Sequence, residues 1–283
     1  MFMVGLFFIA CNTDNGYQSK LMKPIAKKNY HEILFALDKK YWKGDLGKTI
    51  KNSFEKFVKT TPLPYEKEFD TDFVVPNKIL KNIKNNNCFV FVQIEKYNSR
   101  SIMPIIRKDL WANGQLIIEL KFKSEKAAIN YFKYKNSEVK SILKNFNLNK
   151  IQKKFSEKNN INKELEKSTA LKFKAPDGIK INKTAKNFWW WSKLEIKKDQ
   201  NGSHEIQTGI VLYQEDYENK NQFEKRKILS VKDSLGKTYL KGKRDSSFMK
   251  TVENEISKTM DTSFYINNKY VKQIKGCWRM END

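Results

Sequence analysis

The apolar residues of this chain fall into short runs of period two and longer stretches of period three to four. His31 to Leu37 (HEILFAL) reads as a buried strand. Beyond the turn at Tyr41 to Gly47, the residues Leu46, Ile50, Phe54, Phe57 and Val58 recur at helical spacing and predict an amphipathic helix. Phe69 to Val75 predicts a second strand stopped by Pro76, and Ile79, Leu80 and Ile83 share one side of a short helix. The apolar run Cys88 to Ile94 (CFVFVQI) suits a strand covered on both faces. Ile105 to Trp111, the Asn113-Gly114 turn and Gln115 to Phe122 read as a hairpin. From Ser124 to about Lys167 a long helical stretch, with breaks, buries Phe132, Val139, Leu143, Phe146, Ile151 and Phe155; its other face is almost all Lys and Asn, and it is expected to pack over the first half and lead into the second. A second half opens with a strand at Leu171 to Gly178. Phe188 to Ile196 and Ile206 to Tyr213 form an antiparallel pair across Gln200 to Ser203. A helix at Gln222 to Leu235, a short helix at Met249 to Lys258 and a last strand at Lys269 to Met280 follow. The pattern predicts an α+β fold, not a doubly wound one: two sheet-plus-helix halves, residues 30–123 and 168–283, joined by a long Lys/Asn-rich helical segment over 124–167.

Residues 1–10 (MFMVGLFFIA) are apolar and uncharged, and Cys11 follows at once. At about 1.5 Å per residue they cannot cross a hydrocarbon core of about 30 Å, but they have the length of a signal-peptide apolar region. Phe8-Ile9-Ala10-Cys11 resembles a bacterial lipobox, in which a small residue precedes the Cys that is acylated after cleavage. Phe8 stands where Leu is usual, and no basic segment precedes the apolar run, as if the start lay upstream of Met1. The expectation is removal of residues 1–10, lipid attachment at Cys11, and a polar tether over 11–29. At about 0.8 kcal/mol per buried CH₂, two or three acyl chains make a lasting anchor.

Charge adds less than it first promises. Lys and Arg number 55 against 32 acids, a formal +23. Only five are Arg (Arg100, Arg107, Arg226, Arg244, Arg279), whereas forked readout of phosphates and guanine edges favours Arg. Lys is spread along the chain, and Asn runs such as Asn85-Asn86-Asn87 accompany it, as expected of drift in an AT-rich genome. A solvated Lys surface is therefore expected, and nucleic acid is disfavoured as a partner.

Searches for catalytic chemistry return little. His31 and His204 are the only histidines, without Cys, Asp or Glu at metal-ligand spacing, so no metal is expected. There is no Walker loop, G-x-G-x-x-G or G-x-S-x-G, and no cofactor is expected. Cys88 and Cys277 sit in apolar settings as small hydrophobes, although an exported protein could oxidise them. Adjacent carboxylates such as Glu215-Asp216 could do acid/base work on glycans, but among 32 acids such adjacency arises by chance. The triplet Trp189-Trp190-Trp191 is the candidate binding surface. In a strand Trp189 and Trp191 share one face and Trp190 takes the other, so one face is core and the other is free to stack on a sugar, a lipid interface or a protein.

Three stretches, Tyr41 to Ile50 (YWKGDLGKTI), Arg107 to Gln115 (RKDLWANGQ) and Gly276 to Asp283 (GCWRMEND), resemble an uncharacterised lipoprotein family of Bacteroidetes, a domain of unknown function. The resemblance spans nearly the whole chain. Members of that family continue past this Asn-Asp through a Gly-Gly-Pro turn into a further strand pair and a terminal helix, which implies that this sequence is a shortened version with an incomplete second sheet. The resemblance implies location and fold and adds no catalytic residue. The expectation is a non-enzymatic envelope lipoprotein, placed at the outer membrane, which binds or scaffolds an envelope protein or glycan beside the membrane that holds its anchor. The alternatives are a carboxylate-dependent envelope enzyme acting on glycan or cell-wall polymer, and a basic nucleic-acid binder.

Overall fold

The computed structural model describes residues 23–26, 30–61, 63–96, 103–155, 165, 169, 171, 173, 175–200, 202–244 and 246–282. The expected signal peptide, Cys11 and most of the tether lie outside these residues.

Strands β1 (Glu32–Ala36), β2 (Asp70–Val74), β3 (Cys88–Ile94), β4 (Ile105–Lys108) and β5 (Leu116–Phe122) make one sheet in the order β2-β1-β3-β5-β4. β1 is parallel to β2 and β3, and β3 is parallel to β5. β4 pairs antiparallel with β5, as the Asn-Gly turn predicts. Because strand side chains alternate, Ile33, Phe35, Val90, Ile118 and Leu120 face one side, and Leu34, Ala36, Phe89 and Ile117 the other. The first side is covered by helices α1 (Lys39–Lys43), α2 (Asp45–Phe54), α3 (Glu125–Tyr134) and α4 (Ser137–Gln152). Phe35 lies at its centre, 5.4 Å from Phe54 and 6.0 Å from Trp42 and Phe132 between ring centroids. Each such ring contributes about 1.5–3 kcal/mol by leaving water. The other side is closed by Ile79, Ile83 and Trp111, on connections whose helical content is limited to 3₁₀ turns at Pro76–Lys78 and Ile83–Asn85. With helices on one face only, the sheet is not doubly wound, and the class is α+β.

Local signals explain the helix positions. Ser124 caps α3, its Oγ accepting from the Ala127 N–H at 3.2 Å. The corner between α1 and α2 requires a glycine: a Cβ on Gly47 would lie 1.8 Å from the Trp42 carbonyl oxygen. The expected long joining helix is not present as one element. Its described part breaks between Tyr134 and Ser137 into α3 and α4, and both pack on the first sheet through Ala128, Phe132, Val139 and Leu143. Most of residues 156–167 lie outside the described set.

The second half contains smaller sheets. β6 (Lys180–Ala185), β7 (Phe188–Asp199) and β8 (Gly202–Tyr213) run antiparallel in that order, and Asp199 opposite Gly202 closes the predicted hairpin tightly. β9 (Phe248–Val252) pairs with β12 (Cys277–Glu281), and β10 (Met260–Ile266) with β11 (Lys269–Lys275). Helix α5 (Lys225–Tyr239) packs on β9. A Cβ on Gly236 would stand 2.1 Å from the Met249 carbonyl oxygen, so the helix can lie this close only with glycine there. Two expectations are corrected. Residues Met249 to Lys258 do not form a short helix: their first part is β9, held extended by β12. The single last strand is two, β11 and β12, divided at Gly276, where a Cβ would meet Thr259 Cγ2 at 2.6 Å. β6 and β10 had no sequence counterpart because nearly all their side chains are exposed, which erases the alternation that marks a half-buried strand.

Candidate functional site: a cationic aromatic groove

The Trp triplet splits as its strand geometry dictates. Trp189 and Trp191, 5% and 1% exposed, pack with Leu165, Ala175 and Ile179 in the core of the second half. Trp190 points to the opposite face, half-buried, with its indole nitrogen 3.5 Å from where a Cβ on Gly209 would stand. Only Trp190 of the three keeps appreciable surface.

The other residues singled out from sequence do not converge. His31 precedes β1 and its carbonyl accepts from the Asp70 N–H at 3.0 Å, whereas His204, placed in a loop by its neighbours, lies in β8 opposite Lys197. Glu215 Oε1 accepts from Gln222 Nε2 at 3.1 Å, and the same amide donates to the Asp216 carbonyl at 2.9 Å. The Glu215 carboxylate and the Asp216 backbone carbonyl thus share the Gln222 amide and hold a turn. Among the described residues no three His, Cys, Asp or Glu side chains gather as a metal site would need. Cys88 and Cys277 are both free thiols. Burial pushes the Cys88 thiol up to about 12, against the pull of Lys150 and the Asn147 amide, which leaves it a poor nucleophile.

The feature with binding character was not singled out from sequence. A groove of about 1070 Å³ opens between the segment leading into α5 and the β10–β11 hairpin. Its wall is aromatic. Tyr217 and Phe223 lie 6.2 Å apart at 47°, Phe223 and Tyr270 5.0 Å apart at 87°, and Tyr265 extends the row 5.7 Å from Tyr270 at 72°. Gln222 pins the first wall by accepting from the Glu218 and Asn219 N–H groups at 2.7 and 3.2 Å, while Asn219 caps the 3₁₀ turn Lys220–Phe223. Tyr270 is tied across the hairpin by a 2.8 Å hydrogen bond between its hydroxyl and Ser263 Oγ.

Lys220, Lys225, Arg226, Lys269 and Lys272 line the groove against one carboxylate, Glu224. Two of these cations are compensated from behind. Lys225 Nζ lies 2.6 Å from Glu253 Oε1 and donates to the Thr259 carbonyl at 3.0 Å, and Lys272 pairs with Asp261. The hydrogen bonds from Lys225 and Thr259 hold the Glu253 carboxyl below its ordinary range, and the bond from Lys272 does the same for Asp261. Lys220, Arg226 and Lys269 make no close ion pair among the described residues, although the charge of Arg226 also helps to lower the Glu253 carboxyl. Lys225, Arg226 and Lys227 also occupy the first turn of α5, which holds no acid of its own beyond the N-cap residue Glu224. Positive charge at the positive end of a helix is unfavourable by about 0.3–1 kcal/mol per residue unless an anion is close. Sequence reasoning missed the site because its lysines look like all the others and its aromatic residues are far apart in the chain.

No curated protein and no solved structure matches the chain. Residues 26–156 match the family model of a domain of unknown function (DUF8532), which takes in the first sheet with α3 and α4, and residues 158–283 match that of a second domain of unknown function (DUF4837), which contains the groove. The two matches follow one another along the chain, the first over the first sheet and the second over the smaller sheets of the second half.

Proposed function

We propose that this protein is a lipid-anchored, non-enzymatic binding protein of a Gram-negative cell envelope, tethered through Cys11 at the outer membrane and holding an anionic ligand in the groove of its second half. The observation that carries the reading is the groove itself, where five cations face one lining carboxylate, Glu224, beside an aromatic wall. Rings supply contact area with little conformational entropy to lose, and an excess of cations over acids along the lining favours a ligand's negative charge. The anchor rests on the apolar run that ends at Cys11. Two measurements test the halves of the reading. Alkyne fatty-acid labelling in the native host should tag the wild type and not Cys11→Ala, and the variant should leave the membrane fraction; equal labelling removes the anchor. Charge reversal by Lys220→Glu with Arg226→Glu should abolish capture of anionic polymers by the full chain; unchanged capture removes the groove.

A further inference from the structure

Adjacent rings along the groove are turned relative to one another. Successive aromatic faces along the row Tyr217, Phe223, Tyr270, Tyr265 turn by 47°, 87° and 72°. Bases stacked continuously on one another would need neighbouring ring faces that stay near parallel, and no adjacent pair in this row is parallel. A flexible acidic peptide would meet the cations but has no reason to need exposed rings. A glycan has rings with apolar C–H faces, and successive sugars rotate about each glycosidic bond, so consecutive residues can follow facets that turn. Tyr217 and Tyr265 are 69% and 71% exposed, and they flank the less exposed Phe223 and Tyr270, so ring faces along the row are open to a ligand. The unpaired cations are mostly Lys: Lys220 and Lys269 are compact point charges suited to one carboxylate per sugar, and Arg226 is the single forked donor. The groove, at about 1070 Å³, has room for several sugar units and is not closed to a single small molecule.

We infer that the Tyr217–Phe223–Tyr270 groove binds a carboxylated polysaccharide, with sugar faces against the aromatic row and carboxylates on Lys220, Arg226 and Lys269. The inference rests on the groove being the binding site. It is tested by calorimetric titration of the full chain with a galacturonate hexamer, alongside maltohexaose as neutral rings, hexaglutamate as charge without sugar rings, and hexathymidylate as an anionic nucleic acid. The acidic sugar is expected to bind at least about tenfold more tightly than each of the other three. Tyr217→Ala, at a position too exposed to threaten folding, should weaken the acidic sugar by about tenfold and leave hexaglutamate unchanged. Lys220→Glu with Arg226→Glu should abolish binding of every anion. Equal binding of hexaglutamate overturns the glycan and leaves an anionic groove. Tighter binding of hexathymidylate overturns it in favour of nucleic acid, and equal binding of maltohexaose removes the role of charge. If no anion binds, the groove and the inference fall together.

Discussion

Cys88 shows how burial decides the chemistry of a single side chain. It is 1% exposed, Asn87 Nδ2 donates to its sulfur at 3.5 Å, and its thiol donates to Asn147 Oδ1 at 3.9 Å. Desolvation raises its pKa to about 12, so below that pH the native protein presents a thiol at this position. A thiol reagent at pH 8 should therefore label Cys277 and spare Cys88 until denaturant is added; rapid native labelling at Cys88 would contradict this burial. The Trp pair separates in the same way. Trp191→Ala leaves a cavity in a closed core and should cost about 3–5 kcal/mol, whereas Trp190→Ala, at a half-buried position, should cost less, about 1–2 kcal/mol, both read from urea denaturation. Which Trp is core was legible as an alternation. Which face is core was not, because it depends on residues around 165–179 that cover only one side.

At the scale of elements, α4 is pinned to the rest of the first half by polar contacts as well as by its apolar stripe. Lys140 Nζ lies 2.6 Å from Glu68 Oε2 and donates to the Ser53 carbonyl at 2.6 Å, and Lys144 also reaches Glu68. Desolvation would raise the Glu68 carboxyl, but the two lysines outweigh it and hold the group below its ordinary 4.5. A carboxyl lowered in the folded state stabilises fully above its unfolded value and loses that contribution as pH falls through the folded one. Thermal stability should accordingly fall below about pH 4.5, and Glu68→Gln should flatten that acid limb; parallel wild-type and variant curves would show that Glu68 has no part in it. Further along, Asn147, Asn87 and Lys150 form a buried polar knot: Asn87 Nδ2 donates to Asn147 Oδ1 at 2.9 Å, and Lys150 donates to Asn87 Oδ1 at 2.5 Å and to the Gly114 carbonyl at 2.8 Å. Periodicity marks α4 as a helix but says nothing of this knot, whose members come from three separated segments.

For the whole molecule, the two cores that sandwich the first sheet draw all their buried residues from 33–143, and the core of the second half lies in 165–191. Polar links between the halves include Tyr65 Oη donating to the Ile256 carbonyl at 2.5 Å and Cys277 Sγ donating to the Thr60 carbonyl at 3.3 Å. At about 1 kcal/mol each, such bonds do not hold either core together. Residues 23–155 produced alone should therefore unfold cooperatively in urea, within about 2 kcal/mol of the same transition in the full chain. A non-cooperative melt would mean that the second half completes the first.

What the sequence determined by itself was local. Runs such as Cys88 to Ile94 and spacings such as Leu46, Ile50 and Phe54 are imposed by burial on one face of one element, so they survive in one dimension and identify β3, α2 and the β7–β8 hairpin. Tertiary structure decided whatever depends on which distant residues meet: the order β2-β1-β3-β5-β4 and the extended state of Phe248–Val252 against β12. It also decided the groove. A lysine paired with an acid and a lysine left unpaired are identical letters, and only folding shows that Lys225 and Lys272 are compensated while Lys220, Arg226 and Lys269 face an aromatic wall.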